Sequence, residues 1–125
     1  LITFVAYWGP VLVYMGLIAW SSSRARPDVL SVAPDFVLHG TAYAGLAMLS
    51  VRALAKRTFA GFSRAHLLGG VVIASLYGMS DELHQLYVPG REGSLADLTA
   101  DVGGAALGAL FLAALSAMSA AGETR

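Results

Sequence analysis

The chain contains no cysteine. Disulfide frameworks, thiol nucleophiles, iron–sulfur clusters and thiolate zinc sites are thereby excluded. Charge is scarce as well. Eight basic and eight acidic residues make up 13% of the 125 residues, against roughly 25% in a typical soluble domain. The two signs cancel, so nothing steers the chain toward a polyanion, and nucleic acid is not an expected partner. Internal repeats and strand-like alternation are also missing. What is abundant is apolar: 57% of the residues are hydrophobic, and the mean hydropathy is +0.67. The length suits one domain spanning 1–125. Leu1 stands where a start methionine would, so residues upstream of it are expected.

The apolar residues are gathered into runs. Residues 1–20 carry no charge, and about 20 apolar residues at ~1.5 Å rise match the hydrocarbon core of a bilayer. Pro10 lies inside this run, where membrane helices tolerate proline with a local kink. Residues 21–34 read as a polar loop. A second helix is predicted over 35–52, interrupted only by His39, Thr41, Tyr43 and Ser50. Residues 53–64 form a basic loop. A third helix over 66–88 carries Asp81, Glu82, His84 and Gln85 in its last two turns and stops at Pro89 and Gly90. Ser94 has the position of an N-cap, with Asp97 at capping-box spacing. A fourth helix is predicted over 95–118. Each run is too apolar all round for a surface helix of a soluble bundle. The expected fold is all-α: four transmembrane helices in an antiparallel bundle.

Lys and Arg in the short loops set orientation. Arg52, Lys56, Arg57, Arg64 and Arg125 lie on one side, and Arg24, Arg26 and Arg91 on the other, five against three. The second loop and both termini are therefore expected in the cytoplasm.

The polar residues cluster on the opposite, extracytoplasmic side. They are Asp35 and His39 at the start of helix 2; Asp81, Glu82, His84 and Gln85 at the end of helix 3; and Arg91, Glu92, Asp97 and Asp101 around the start of helix 4. Asp81 and Asp101 each fall about 10 Å inside their helix ends. The pairs Asp35/His39, Asp81/Gln85 and Asp97/Asp101 are i,i+4 and share faces, and His84 is i+3 from Asp81. Glu82 points ~100° from Asp81, toward a different helix or the headgroups. Taken alone, Asp97 reads as a helix cap and Asp35 as a complement to the helix dipole. Asp81 and Asp101 are less easily dismissed, because an ionised group at the centre of a span costs roughly 3 kcal/mol. Pairing with Arg91 or His39, or a watery cavity, would offset this. A functional site and a structural polar network both satisfy that need. His66 reads as interfacial, and Trp8, Trp20, Tyr14, Tyr77 and Tyr87 as packing or interface anchors. Asp35, His39, Asp81, His84, Asp97 and Asp101 are ligand types suited to Zn, Mn or Mg. Nothing matches H-E-x-x-H, so neither a metal nor a cofactor is expected. Gly70, Ala74 and Gly78, and Gly104 with Gly108, form small-residue ladders that let helices approach closely.

Ser80-Asp81-Glu82-Leu83-His84-Gln85, Val88-Pro89-Gly90-Arg91, Ser94-Leu95-Ala96-Asp97 and Asp101 with Gly104 and Gly108 together resemble the VanZ-like family of small bacterial membrane proteins. Asp35-Phe36-Val37-Leu38-His39 is similar to that family's aspartate-histidine element. Two positions depart: Phe36 stands where many relatives have Lys, and Asp101 where many have Asn. The second adds an acid and makes a site here friendlier to cations. The resemblance implies a multi-pass protein of the bacterial plasma membrane with a cell-envelope role, in a family named for tolerance of the glycopeptide teicoplanin.

The expected function is a polar pocket open to the extracytoplasmic leaflet, binding a lipid or lipid-linked envelope precursor by its headgroup. Asp35, His39, Asp81, Glu82, His84, Gln85, Arg91, Asp97 and Asp101 are the candidate ligand-binding residues. Arg91 would contact phosphate or carboxylate through its planar fork. Two other classes remain. One is a structural accessory subunit of a larger membrane complex. The other is an enzyme acting on a lipid headgroup, with Asp81, His84 and His39 as candidate acid and base, although no acyl-transfer nucleophile arrangement is present.

Overall fold

The computed structural model describes residues 1–24, 34–56 and 60–123. Arg26, Arg57 and Arg125, which contribute to the orientation argument, lie outside the described residues. Among the described residues four helices follow one another: α1 (Ile2–Ser22), α2 (Asp35–Ala55), α3 (Arg64–Gln85) and α4 (Leu95–Glu123). No strand forms among the described residues.

The helix ends follow local chemistry. α1 runs unbroken through Pro10. α2 stops where Lys56 turns left-handed at φ 51°, its N–H returning to the Arg52 carbonyl. α3 starts two residues before its expected first residue, because Ser63 caps it. The Ser63 hydroxyl accepts from the His66 N–H, and His66 Nδ1 accepts from the Ser63 N–H, both at 3.2 Å. His66 thus completes a capping box rather than resting idle at the interface. α3 ends at Gln85, three residues before its expected last residue. The N–H groups of Tyr87 and Val88 bond back to His84 and Gln85 in a tightened last turn, and Gly90 follows at φ 78°. At the start of α4 the Ser94 hydroxyl accepts from the Ala96 and Asp97 N–H groups at 3.1 and 3.3 Å.

α2 is the centre of the bundle. It packs most extensively on α4, then on α3, while α3 and α4 also meet. α1 leans on α2, lightly on α3, and not on α4. The α2–α4 contact is backbone on backbone. A Cβ on Gly104 would strike the carbonyl of Gly40 and come within 2.6 Å of its Cα. A Cβ on Gly108 would strike the carbonyl of Ala44. On α3, Gly70, Ala74 and Gly78 are all buried; Gly70 lies against Ala47 and Val51. The expected ladders are therefore the close-approach surfaces that bring polar groups of three helices together.

α1 and α4 are long and apolar enough to cross a membrane by length and composition. α2 and α3, at 21 and 22 residues, have comparable length. Their apolar character is diluted by Asp35, His39 and Arg52 on one and by Arg64, His66, Asp81 and Glu82 on the other. Charged and polar side chains are buried beside an apolar core that includes Val11, Tyr43, Leu46 and Val51. Asp81, Glu82, Gln85, Asp101, Ser22 and Ser50 are buried, while Leu68, Val72, Leu76, Met79 and Leu83 are exposed along α3.

Candidate functional site

The last turn of α3 sits between α1 on one side and α2 with α4 on the other, so its consecutive acids find different partners. Asp81 faces α1. Its Oδ1 accepts from the Ser22 hydroxyl at 2.6 Å, and its Oδ2 from the Gln85 amide at 3.2 Å. Glu82 faces α2 and α4. Its Oε2 accepts from the Ser94 N–H at 2.7 Å, and its Oε1 lies 3.8 Å from His39 Nδ1. Asp97 was the expected reciprocal partner of the Ser94 backbone, but Glu82 takes that role and latches α3 to the start of α4. Asp97 itself is half-buried in the first turn of α4.

His39, one turn into α2, points at α4. Its Nδ1 is 2.9 Å from Asp101 Oδ1. Asp101 is fully buried. Its other oxygen, Oδ2, lies over Gly78, where an added Cβ would come within 2.8 Å of it. Tyr43 follows His39 by one turn, and the two rings stack with centroids 6.4 Å apart. Among the described residues, three buried oxygens in this neighbourhood have no hydrogen-bond partner: Tyr43 Oη, Glu82 Oε1 and Asp101 Oδ2.

A cavity of about 270 Å³ opens between α1, α2 and α3. Its polar lining includes His39, Tyr43, Asp81 and Gln85, with Asp35 and Arg91 toward its mouth, and Leu17, Ile18, Leu38 and Ala42 supply apolar wall. Tyr77 braces α1 from α3, its hydroxyl donating to the Met15 carbonyl at 2.6 Å.

The sequence-predicted residues are therefore divided. His39, Glu82 and Asp101 converge. Asp81 and Gln85 share the cavity with His39. Asp35 is exposed at its edge. His84 does not face the cavity; it is exposed, with Nε2 3.1 Å from the Ser23 hydroxyl. Arg91 pairs with neither Asp81 nor His39. Its Nε and Nη2 donate to the carbonyls of Arg24 and Ser21 at 3.1 and 3.4 Å, pinning the α3–α4 turn over the end of α1. Ser22, Tyr14 and Tyr43 also line the cavity. Tyr43 had the i,i+4 spacing from His39 as an available signal; Ser22 had none, since its role depends on how α1 docks.

No curated protein and no solved structure matches the chain. The VanZ/LLP1 family model matches residues 7–116, a stretch that includes α2, α3, the α3–α4 turn and every polar residue of the site. The chain belongs to the VanZ/LLP1 family and is a membrane-associated protein whose described secondary structure is all helical.

Proposed function

We propose that all four helices cross the bacterial plasma membrane and that the cavity receives the polar headgroup of a lipid or lipid-linked envelope precursor. The observation that carries this reading is the cavity's construction. Polar groups from three helices line a recess whose wall is apolar and whose surroundings are exposed hydrophobic faces. On α3 the exposed residues Leu68, Val72, Leu76, Met79 and Leu83 make one continuous stripe, as a lipid-facing side requires. A volume of about 270 Å³ is near the lower end of ligand pockets, about 300 Å³. It suits a headgroup whose acyl chains stay in the bilayer. Arg91 Nη1 takes part in neither of the bonds to Arg24 and Ser21 and suits a phosphate, and Asp81 suits a hydroxyl or ammonium donor. By the loop-charge argument the cavity faces outward, where it would contribute to envelope properties such as glycopeptide (teicoplanin) tolerance.

The buried Tyr43 hydroxyl, which lines the cavity and has no hydrogen-bond partner among the described residues, favours a pocket over a scaffold, because a scaffold built on a half-satisfied network would be destabilised. Asp81→Asn distinguishes the two. The hydrogen-bond partners of Asp81 are Ser22 and Gln85, both neutral, so the change strands no buried cation. The folded fraction in detergent is expected to match wild type, while lipid retained through purification, read by native mass spectrometry, falls. Unfolding of the variant, or an unchanged lipid complement, contradicts the headgroup reading.

A further inference from the structure

We propose that His39, Glu82 and Asp101 form a binding site for a divalent first-row transition cation, set behind the cavity wall. One imidazole nitrogen and one oxygen from each carboxylate all lie within 4.8 Å of one another. The site joins three helices, with His39 from α2, Glu82 from α3 and Asp101 from α4. Metal–ligand bonds of ~2.1 Å let two ligand atoms share an ion when they are no more than ~4.2 Å apart. His39 Nδ1 is 2.9 Å from Asp101 Oδ1 and 3.8 Å from Glu82 Oε1, so both separations already fit. The third separation, between the two carboxylate oxygens, is no more than 4.8 Å.

Two further observations point to a ligand. Glu82 Oε1 is buried without a hydrogen-bond partner, although its residue is 7% exposed, and it is aimed at the imidazole. Asp101 is 0% exposed, and its Oδ2 is likewise unpartnered. Gly78 keeps α3 clear of that carboxylate, since a Cβ there would come within 2.8 Å of Oδ2 and 3.2 Å of Tyr43 Cε1. Both ion pairs found for Glu82 and Asp101 among the described residues are with His39. One imidazolium cannot balance two buried carboxylates, whereas a divalent cation on neutral imidazole does. On binding, the ion takes the Nδ1 lone pair and the proton held there leaves to solvent. An imidazole with two carboxylates suits Zn²⁺ or Mn²⁺ better than Ca²⁺. Three protein ligands leave a fourth position, as in open zinc sites. His39 also lines the cavity, which gives the ion an entry path.

The site stands independently of the headgroup reading, because its test contains no lipid ligand. Full-chain protein without a histidine tag is stripped with chelator in detergent and titrated with Zn²⁺ by calorimetry and with Co²⁺ by visible absorption. Wild type is expected to bind one ion per chain, with a Kd of about 10 µM or tighter. The bound Co²⁺ should show the intense d–d bands of a low-coordinate site. His39→Ala and the shape-conserving Asp101→Asn should each weaken binding by at least about tenfold, while His66→Ala and His84→Ala leave it unchanged. Absence of saturable one-to-one binding by wild type overturns the site, as does wild-type affinity in folded His39→Ala. Where a ligand variant fails to fold, the wild-type titration still decides.

Discussion

Replacing Gly104 with alanine adds one methyl group to α4 at its closest approach to α2. The new carbon would strike the Gly40 carbonyl and sit 2.6 Å from both the carbonyl carbon and the Cα of Gly40. Those atoms are backbone, so no side-chain rotation can relieve the clash; the helices must part. Overpacking of this kind costs typically ~1–3 kcal/mol, and a backbone obstacle belongs at the upper end. Alanine also gains about 1 kcal/mol over glycine in a helix interior, which partly hides the penalty. Gly103 supplies the control. It is exposed in the same helix, and a Cβ there meets nothing within 4 Å. The propensity gain is common to both variants, so the difference between Gly103→Ala and Gly104→Ala isolates the contact at about 1–3 kcal/mol. Reversible unfolding in mixed micelles measures it. Gly103→Ala should be as stable as wild type or slightly more so, and Gly104→Ala distinctly less. Equal stabilities would refute the α2–α4 close approach on which the His39–Asp101 pairing depends.

Three other outcomes are expected. Tyr77→Phe removes the bond to the Met15 carbonyl and should cost about 0.5–1.5 kcal/mol, with faster proteolysis of α1 than of the other helices in limited digestion. Glu82→Ala strands the Ser94 N–H and should cost about 1–3 kcal/mol; Glu82→Gln, which keeps an acceptor for that N–H, should lose less in the same unfolding assay. Because the chain has no native cysteine, single cysteines at Ala60 and Glu92 report topology cleanly. Glu92 should label from outside intact cells and Ala60 only after permeabilisation, and the reverse pattern would invert the orientation.

The sequence made the scaffold readable where one physical effect dominates. The charge-free stretch of α1 and the small-residue ladder on α4 correspond to an apolar helix and a backbone contact because hydrophobicity and side-chain size act locally. Glu82 was harder to place. Its ~100° offset from Asp81 could mean lipid headgroups or another helix, and the choice turns on α3 having neighbours on both sides, which is a tertiary fact. Arg91 illustrates the same limit. Its charge suggested a carboxylate partner, but the α3–α4 turn carries it to the carbonyls at the end of α1. His84 has helical spacing from Asp81, yet the end of α1 meets it through Ser23 on the outside of the bundle. His66 was legible only in hindsight, because a histidine, rather than Glu or Gln, closes the capping box.

Under the proposed function, the recess between α1, α2 and α3 selects a polar lipid headgroup. A photo-crosslinking residue at Leu38, on the cavity wall, and another at Leu110, exposed on α4, test it side by side in native membranes. Mass spectrometry of the crosslinked lipids gives the readout. Leu38 should capture one headgroup class far above its share of the membrane, and that enrichment should vanish on Asp81→Asn, while Leu110 samples lipids in proportion to their abundance. The same bulk-lipid profile at both positions would contradict headgroup selection by the recess.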